Sequence, residues 1–116
     1  MLQGLINSFR YALRGLKTTW VEERNFRIEV LITAVVSFCL IYFRFTFTES
    51  ALAVLAITLV LSAEIVNTVV EDLCNKIQPE HDYVIGKIKD TMASFVFVSV
   101  AGALVVGVII FYVHFN

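Results

Sequence analysis

The chain has 116 residues, of which 59% are hydrophobic and 16% charged, and its mean hydropathy is +0.82. Its length suits one domain, and its composition excludes an ordinary water-soluble one, where about half the residues are apolar and about a quarter charged. Nine Lys and Arg stand against ten Asp and Glu, so there is no unopposed basic surface and no nucleic-acid partner is expected.

From the N-terminus, Leu2, Leu5, Ile6, Phe9, Leu13, Leu16 and Trp20 recur on one face of a helix, while Gln3, Asn7, Arg10, Arg14 and Lys17 flank them. This pattern predicts an amphipathic helix over about residues 2–22, lying on the membrane with its basic flank toward anionic headgroups. Gly4, Ser8, Ala12, Gly15 and Thr19 make a small-residue flank suited to close helix approach. No apolar core followed by a small-residue cleavage site is visible here, so no signal peptide is expected.

Three spans follow, over about 26–47, 50–72 and 88–115. Each is long enough at about 1.5 Å per residue to cross about 30 Å of hydrocarbon. The last carries a second small-residue face, Ser99, Ala103 and Gly107 with Gly102 beside them. The fold class expected is an all-α membrane protein, a surface helix plus three transmembrane helices. Of the Lys and Arg, eight lie before span one or between spans two and three, and only Arg44 lies on the other side. That bias predicts a cytoplasmic N-terminus and second loop, and an outer C-terminus. Cys39 and Cys74 read as packing residues, and His114 as an interfacial anchor.

The chemistry concentrates in span two. Asn67, Thr68, Glu71 and Asn75 fall within about 60° of Glu64 on a helical projection, forming one polar stripe. Ionisable residues at this depth are costly and mark function by default. Glu64 suits a general base. Glu22 and Glu23 stand at the same level just before span one, and Glu23 with Glu71 supplies the carboxylate pair that a phosphate-bound Mg²⁺ requires. Lys89 can neutralise phosphate charge while Asp90 orients it. Soluble kinase signatures are absent, since Gly86-Lys87 has no glycine five residues earlier and no His-Arg-Asp or Asp-Phe-Gly element occurs. A non-catalytic reading is also open here: a small transporter, or an assembly subunit whose polar seam pairs helices.

The surface helix, the three spans, the stripe Glu64-Ile65-Val66-Asn67-Thr68-Val69-Val70-Glu71, Glu23-Arg24-Asn25-Phe26 before it and Lys89-Asp90 after it together resemble the small prokaryotic diacylglycerol kinase and undecaprenol kinase family, over nearly the whole chain. The resemblance implies a homotrimeric kinase of the bacterial inner membrane, using ATP and Mg²⁺ to phosphorylate a membrane lipid alcohol. It implies Glu64 as the base with Asn67 beside it, Glu23 and Glu71 as metal and nucleotide carboxylates, and Tyr11, Glu80, Lys89 and Asp90 toward the nucleotide. Trp20, Arg27 and Glu29, with Glu64, fall at the lipid entrance. The Glu23-Arg24-Asn25-Phe26 form looks more like the undecaprenol branch. Three positions depart from the family pattern: Asn75 stands where Asp is usual, Asp82 where His is usual, and Gly4 where some members carry Arg.

Overall fold

A computed structural model describes residues 1–116 as four α-helices and no strand: α1 (Leu2–Glu22), α2 (Arg24–Tyr42), α3 (Phe47–Ile77) and α4 (Tyr83–Phe115). α2, α3 and α4 are each long and apolar enough to cross a membrane, so the protein is the all-α membrane protein its hydropathy pattern predicts. The 31 residues of α3 and 33 of α4 reach about 46 and 50 Å, well beyond the hydrocarbon core of about 30 Å. The surplus turns much of the expected second loop into helix, leaving only residues 78–82 between them. Asp82 starts α4 by accepting a hydrogen bond from the Ile85 amide at 3.0 Å, the usual side-chain cap of a free helix N-terminus.

Span one is shorter than expected, because α2 stops at Tyr42 rather than near Phe47. Its end is a Schellman arrangement: the Phe45 amide donates to the Leu40 carbonyl at 3.0 Å and the Arg44 amide to the Ile41 carbonyl at 3.2 Å. Arg44 occupies the left-handed position, φ 56°, where glycine is the usual residue. Hydropathy is blind to this stop, since Phe43 and Phe45 are as apolar as the helix before them. Thr46 and Glu49 then form a reciprocal capping box that starts α3.

The same turn is tied to the far end of α4. His114 Nδ1 meets the two Glu49 oxygens at 3.0 and 3.2 Å, and its Nε2 meets the Phe43 carbonyl at 3.0 Å. Both ring nitrogens face oxygen atoms, one on the Glu49 carboxyl and one on the Phe43 carbonyl. The ring also stacks on Phe45, centroids 3.9 Å apart, and Phe115 packs edge-on against Phe43 and Phe45. His114 therefore acts as a tie between helices, a tighter role than the interfacial anchor expected of it.

Only eight of the 116 residues are buried, and Thr19, Glu64, Thr68 and Ser99 among them are polar. A water-soluble domain buries the opposite kind of side chain; here lipid can solvate the apolar faces, and polar groups are placed between helices. α3 and α4 form the most extensive helix pair. The glycines of the small-residue faces stand open within one chain, since a Cβ added at Gly4, Gly15, Gly102 or Gly107 would meet nothing within 4 Å, while Thr19 and Ser99 of the same faces are buried.

Candidate active site

Glu23 alone separates α1 from α2. Its extended backbone, φ -109° and ψ 108°, breaks the helix for one residue and sends the chain into the first span. Arg27, one turn into α2, braces the corner: its Nη1 donates to the Trp20 and Val21 carbonyls at 2.7 and 2.9 Å. Those carbonyls belong to the last turn of α1 and have no partner inside it. Phe26 and Thr19 are buried at the same corner.

The corner sets Glu23 against α3. Burial first, and then the charges of Glu71, Asp72 and Glu22, hold the Glu23 carboxyl above the usual glutamate range, while Arg27 works the other way. Glu64 lies within electrostatic reach of both Glu23 and Glu71. It is 2% exposed and is the largest fully buried side chain in the protein. Glu71 and Asn67 are half-buried beside it on α3. Thr68 returns its hydroxyl to the Glu64 carbonyl at 3.0 Å, which keeps that polar group satisfied inside the seam.

These acids have no cationic partner among themselves. The one ion pair in the chain is His114 with Glu49, at the opposite end. No group of three His, Cys, Asp or Glu side chains converges as a metal cage; the cluster offers instead the carboxylate pair Glu23 and Glu71, with Asp72 beside Glu23. An uncompensated pair of hard oxygen donors fits Mg²⁺, an ion that takes one or two carboxylates and completes its shell with water and phosphate.

Glu29 lies one helix away and within electrostatic reach of Glu64. Its Oε2 is buried without a hydrogen-bond partner. It sits on the wall of a cleft of about 620 Å³ between α2, α3 and α4, where Thr33 and Asn116 are the other polar residues among mainly aliphatic neighbours such as Val36, Ile57 and Val60. Thr33 bonds back to the Glu29 carbonyl at 2.8 Å.

The remaining expected residues spread over the same end. Lys89 Nζ donates to Asn75 Oδ1 at 2.6 Å, which points Lys89 toward the α3 stripe. Asp90 faces another way, into a polar cleft of about 400 Å³ shared with His81, Asp82, Tyr83, Lys87, Thr91 and Ser94. Glu80 is exposed in the short loop, and Tyr11 is exposed on α1 with the Arg14 guanidinium 5.7 Å from its ring centroid. Trp20 is partly exposed, and only its carbonyl makes a polar contact. The stripe projection misses Asp72, which joins the cluster through Glu23 on the neighbouring element. It also misses Lys87, which shares a cleft with Asp90, three residues on along the same helix.

Comparison with known proteins gives one consistent result. The family profile described as Prokaryotic diacylglycerol kinase matches residues 10–111. A diacylglycerol kinase of Haemophilus influenzae is 30% identical over 108 residues, covering 93% of this chain and 89% of that protein. Diacylglycerol kinases of Escherichia coli K12 and Shigella flexneri are each 27% identical over 114 residues, covering 97% of this chain and 92% of the relative.

Proposed function

The chain belongs to the prokaryotic diacylglycerol kinase family and is a lipid kinase of the inner membrane using a nucleotide phosphate donor, and on that premise we propose that it transfers the γ-phosphoryl group of ATP to a membrane lipid alcohol at Glu64. Family membership sets aside the transporter and assembly-subunit alternative. The observation that carries the proposal is the pairing of Glu64, the largest fully buried side chain in the protein, with acids that form no ion pair within the chain.

Glu64 accepts the proton of the lipid hydroxyl as the hydroxyl oxygen bonds to the γ-phosphorus and the bond from that phosphorus to the departing ADP breaks, and Asn67 steadies the polar group beside it. Glu23 and Glu71 would hold Mg²⁺, which would supply positive charge to offset that developing on the phosphate. Glu23 sits at the one-residue break between α1 and α2, so the surface helix and the metal position are fixed by the same corner. Lys89 meets the nucleotide phosphates, Asp90 faces the nucleotide from the polar cleft, and Glu80 and Tyr11 face it from loop and surface helix. On the lipid side, the α2–α4 cleft accepts the apolar chain, with Trp20, Arg27 and Glu29 at its headgroup end. Positioning does most of the work, since phosphoryl transfer asks for little covalent chemistry from the protein.

On this reading the N-terminus and the α3–α4 loop face the cytoplasm, where ATP is present, and His114 faces outward; the bias of Lys and Arg toward that loop and the N-terminus supports it. The open glycine positions of α1 and α4 support a homotrimer in which neighbouring copies complete the helix packing. The lipid is diacylglycerol in the relatives' names and undecaprenol by the Glu23-Arg24-Asn25-Phe26 form. Purified protein presented with both alcohols and γ-labelled ATP decides between them. In the same assay, phosphate-transfer activity that survives in Glu64→Gln at the wild-type rate removes Glu64 from the mechanism.

A further inference from the structure

The contact between Lys89 and Asn75 joins α4 to the polar stripe of α3. Asn75 lies one turn beyond Glu71 on the same face. A lysine ammonium has three donors and no acceptor, so the atom facing it must be the amide oxygen of Asn75. That bond uses one donor and leaves two. It also leaves the charge whole, because Asn75 is neutral and Lys89 has no carboxylate partner in the chain.

We propose that Asn75 is a positioning residue for the nucleotide: its amide oxygen fixes the Lys89 ammonium against the α3 stripe without cancelling its charge, so that the remaining donors meet phosphate. This rests on the proposed role of Lys89 at the nucleotide. A carboxylate in place of Asn75 holds the ammonium equally well in shape but competes with phosphate for it. The neutral amide gives placement and full charge together.

Asn75→Asp tests the idea with a change of one atom at an exposed position. Steady-state kinetics with MgATP should show KM for ATP raised about three- to fivefold, the scale of one partly exposed ion pair, with kcat and KM for lipid within about twofold of wild type. Binding of a fluorescent ATP analogue without lipid should weaken by the same factor, a readout that a folding defect would abolish rather than shift. In a Lys89→Gln background the added carboxylate should have no further effect. If Lys89→Gln raises KM for ATP and Asn75→Asp does not, the inference is overturned while the nucleotide reading of Lys89 stands. If Asn75→Asp acts equally in the Lys89→Gln background, the new charge works through the general field and the inference is again overturned. An unchanged KM in Lys89→Gln removes both.

Discussion

The two ends of this helix bundle are built on opposite principles. At the α2–α3 turn, charged and polar groups find partners within the chain: His114 meets Glu49 and the Phe43 carbonyl, Thr46 and Glu49 cap each other, and aromatic rings fill the space between. At the other end, Glu23 lies within electrostatic reach of Glu64, Glu71 and Asp72 with no ion pair among them, and Glu29 keeps an unpartnered oxygen. Satisfied polar groups hold a fold together, whereas gathered unsatisfied ones cost stability and are kept where a ligand supplies what is missing. The contrast supports reading the first end as scaffold and the second as the proposed site of chemistry.

Breaking the open end should cost activity and little stability. The largest effect is expected for Glu64→Gln, with kcat falling about a thousandfold, within the range for loss of a general base. The variant should keep its wild-type elution volume and melting temperature; a collapsed fold would return Glu64 to a packing role. Next, Glu71→Gln and Glu23→Gln should each raise the Mg²⁺ concentration for half-maximal rate by roughly tenfold. A Mg²⁺ dependence unchanged from wild type in both variants would dissolve the metal pair.

The Glu23 carboxyl gives this a pH signature. Its folded-state value is raised, by burial and by Glu71, Asp72 and Glu22, so the folded protein keeps a proton there that the unfolded chain has lost. Stability from this group is therefore present at low pH and declines as pH rises through the raised value. Metal binding runs the other way, since the ligand must be ionised. Apparent Mg²⁺ affinity should climb with pH just above the ordinary glutamate range, and Glu23→Gln should flatten that climb.

At the closed end the order reverses. His114→Ala should lower the melting temperature in detergent with kcat within about twofold of wild type; the lost ring stack alone is worth about 1 kcal/mol. A fall in kcat without a fall in stability would join the two ends functionally. The smallest effect belongs to Arg44→Gly, which should stabilise by about 0.5 kcal/mol, as glycine relieves the left-handed φ but adds freedom to the unfolded chain. Destabilisation by that change would mean that the Arg44 side chain holds a contact of its own.

Much of the candidate site is legible in the sequence because helical geometry is local. Glu64, Asn67, Thr68, Glu71 and Asn75 share a face by spacing alone. Less legible is what arrives from other elements. Arg27 sits where the resemblance suggests a lipid entrance, yet its guanidinium grips the last carbonyls of α1, a contact that exists only because the chain folds back at Glu23. Asp72 lies off the stripe and counts only through Glu23. Lys89 and Asp90 are neighbours in sequence, and about 100° of helix sends one to α3 and the other to the polar cleft.

By itself the sequence determined that the bilayer is the solvent, that three helices are apolar and long enough to cross it, and that ionisable groups collect on one seam. Each of these follows from composition and a fixed helical period. Tertiary structure decided where α2 stops, because a Schellman turn at Arg44 ends it against the trend of hydropathy. It also decided which charges are answered and which are left bare, because a partner far along the chain, such as His114 for Glu49, is brought within reach only by the packing of α4 on α3.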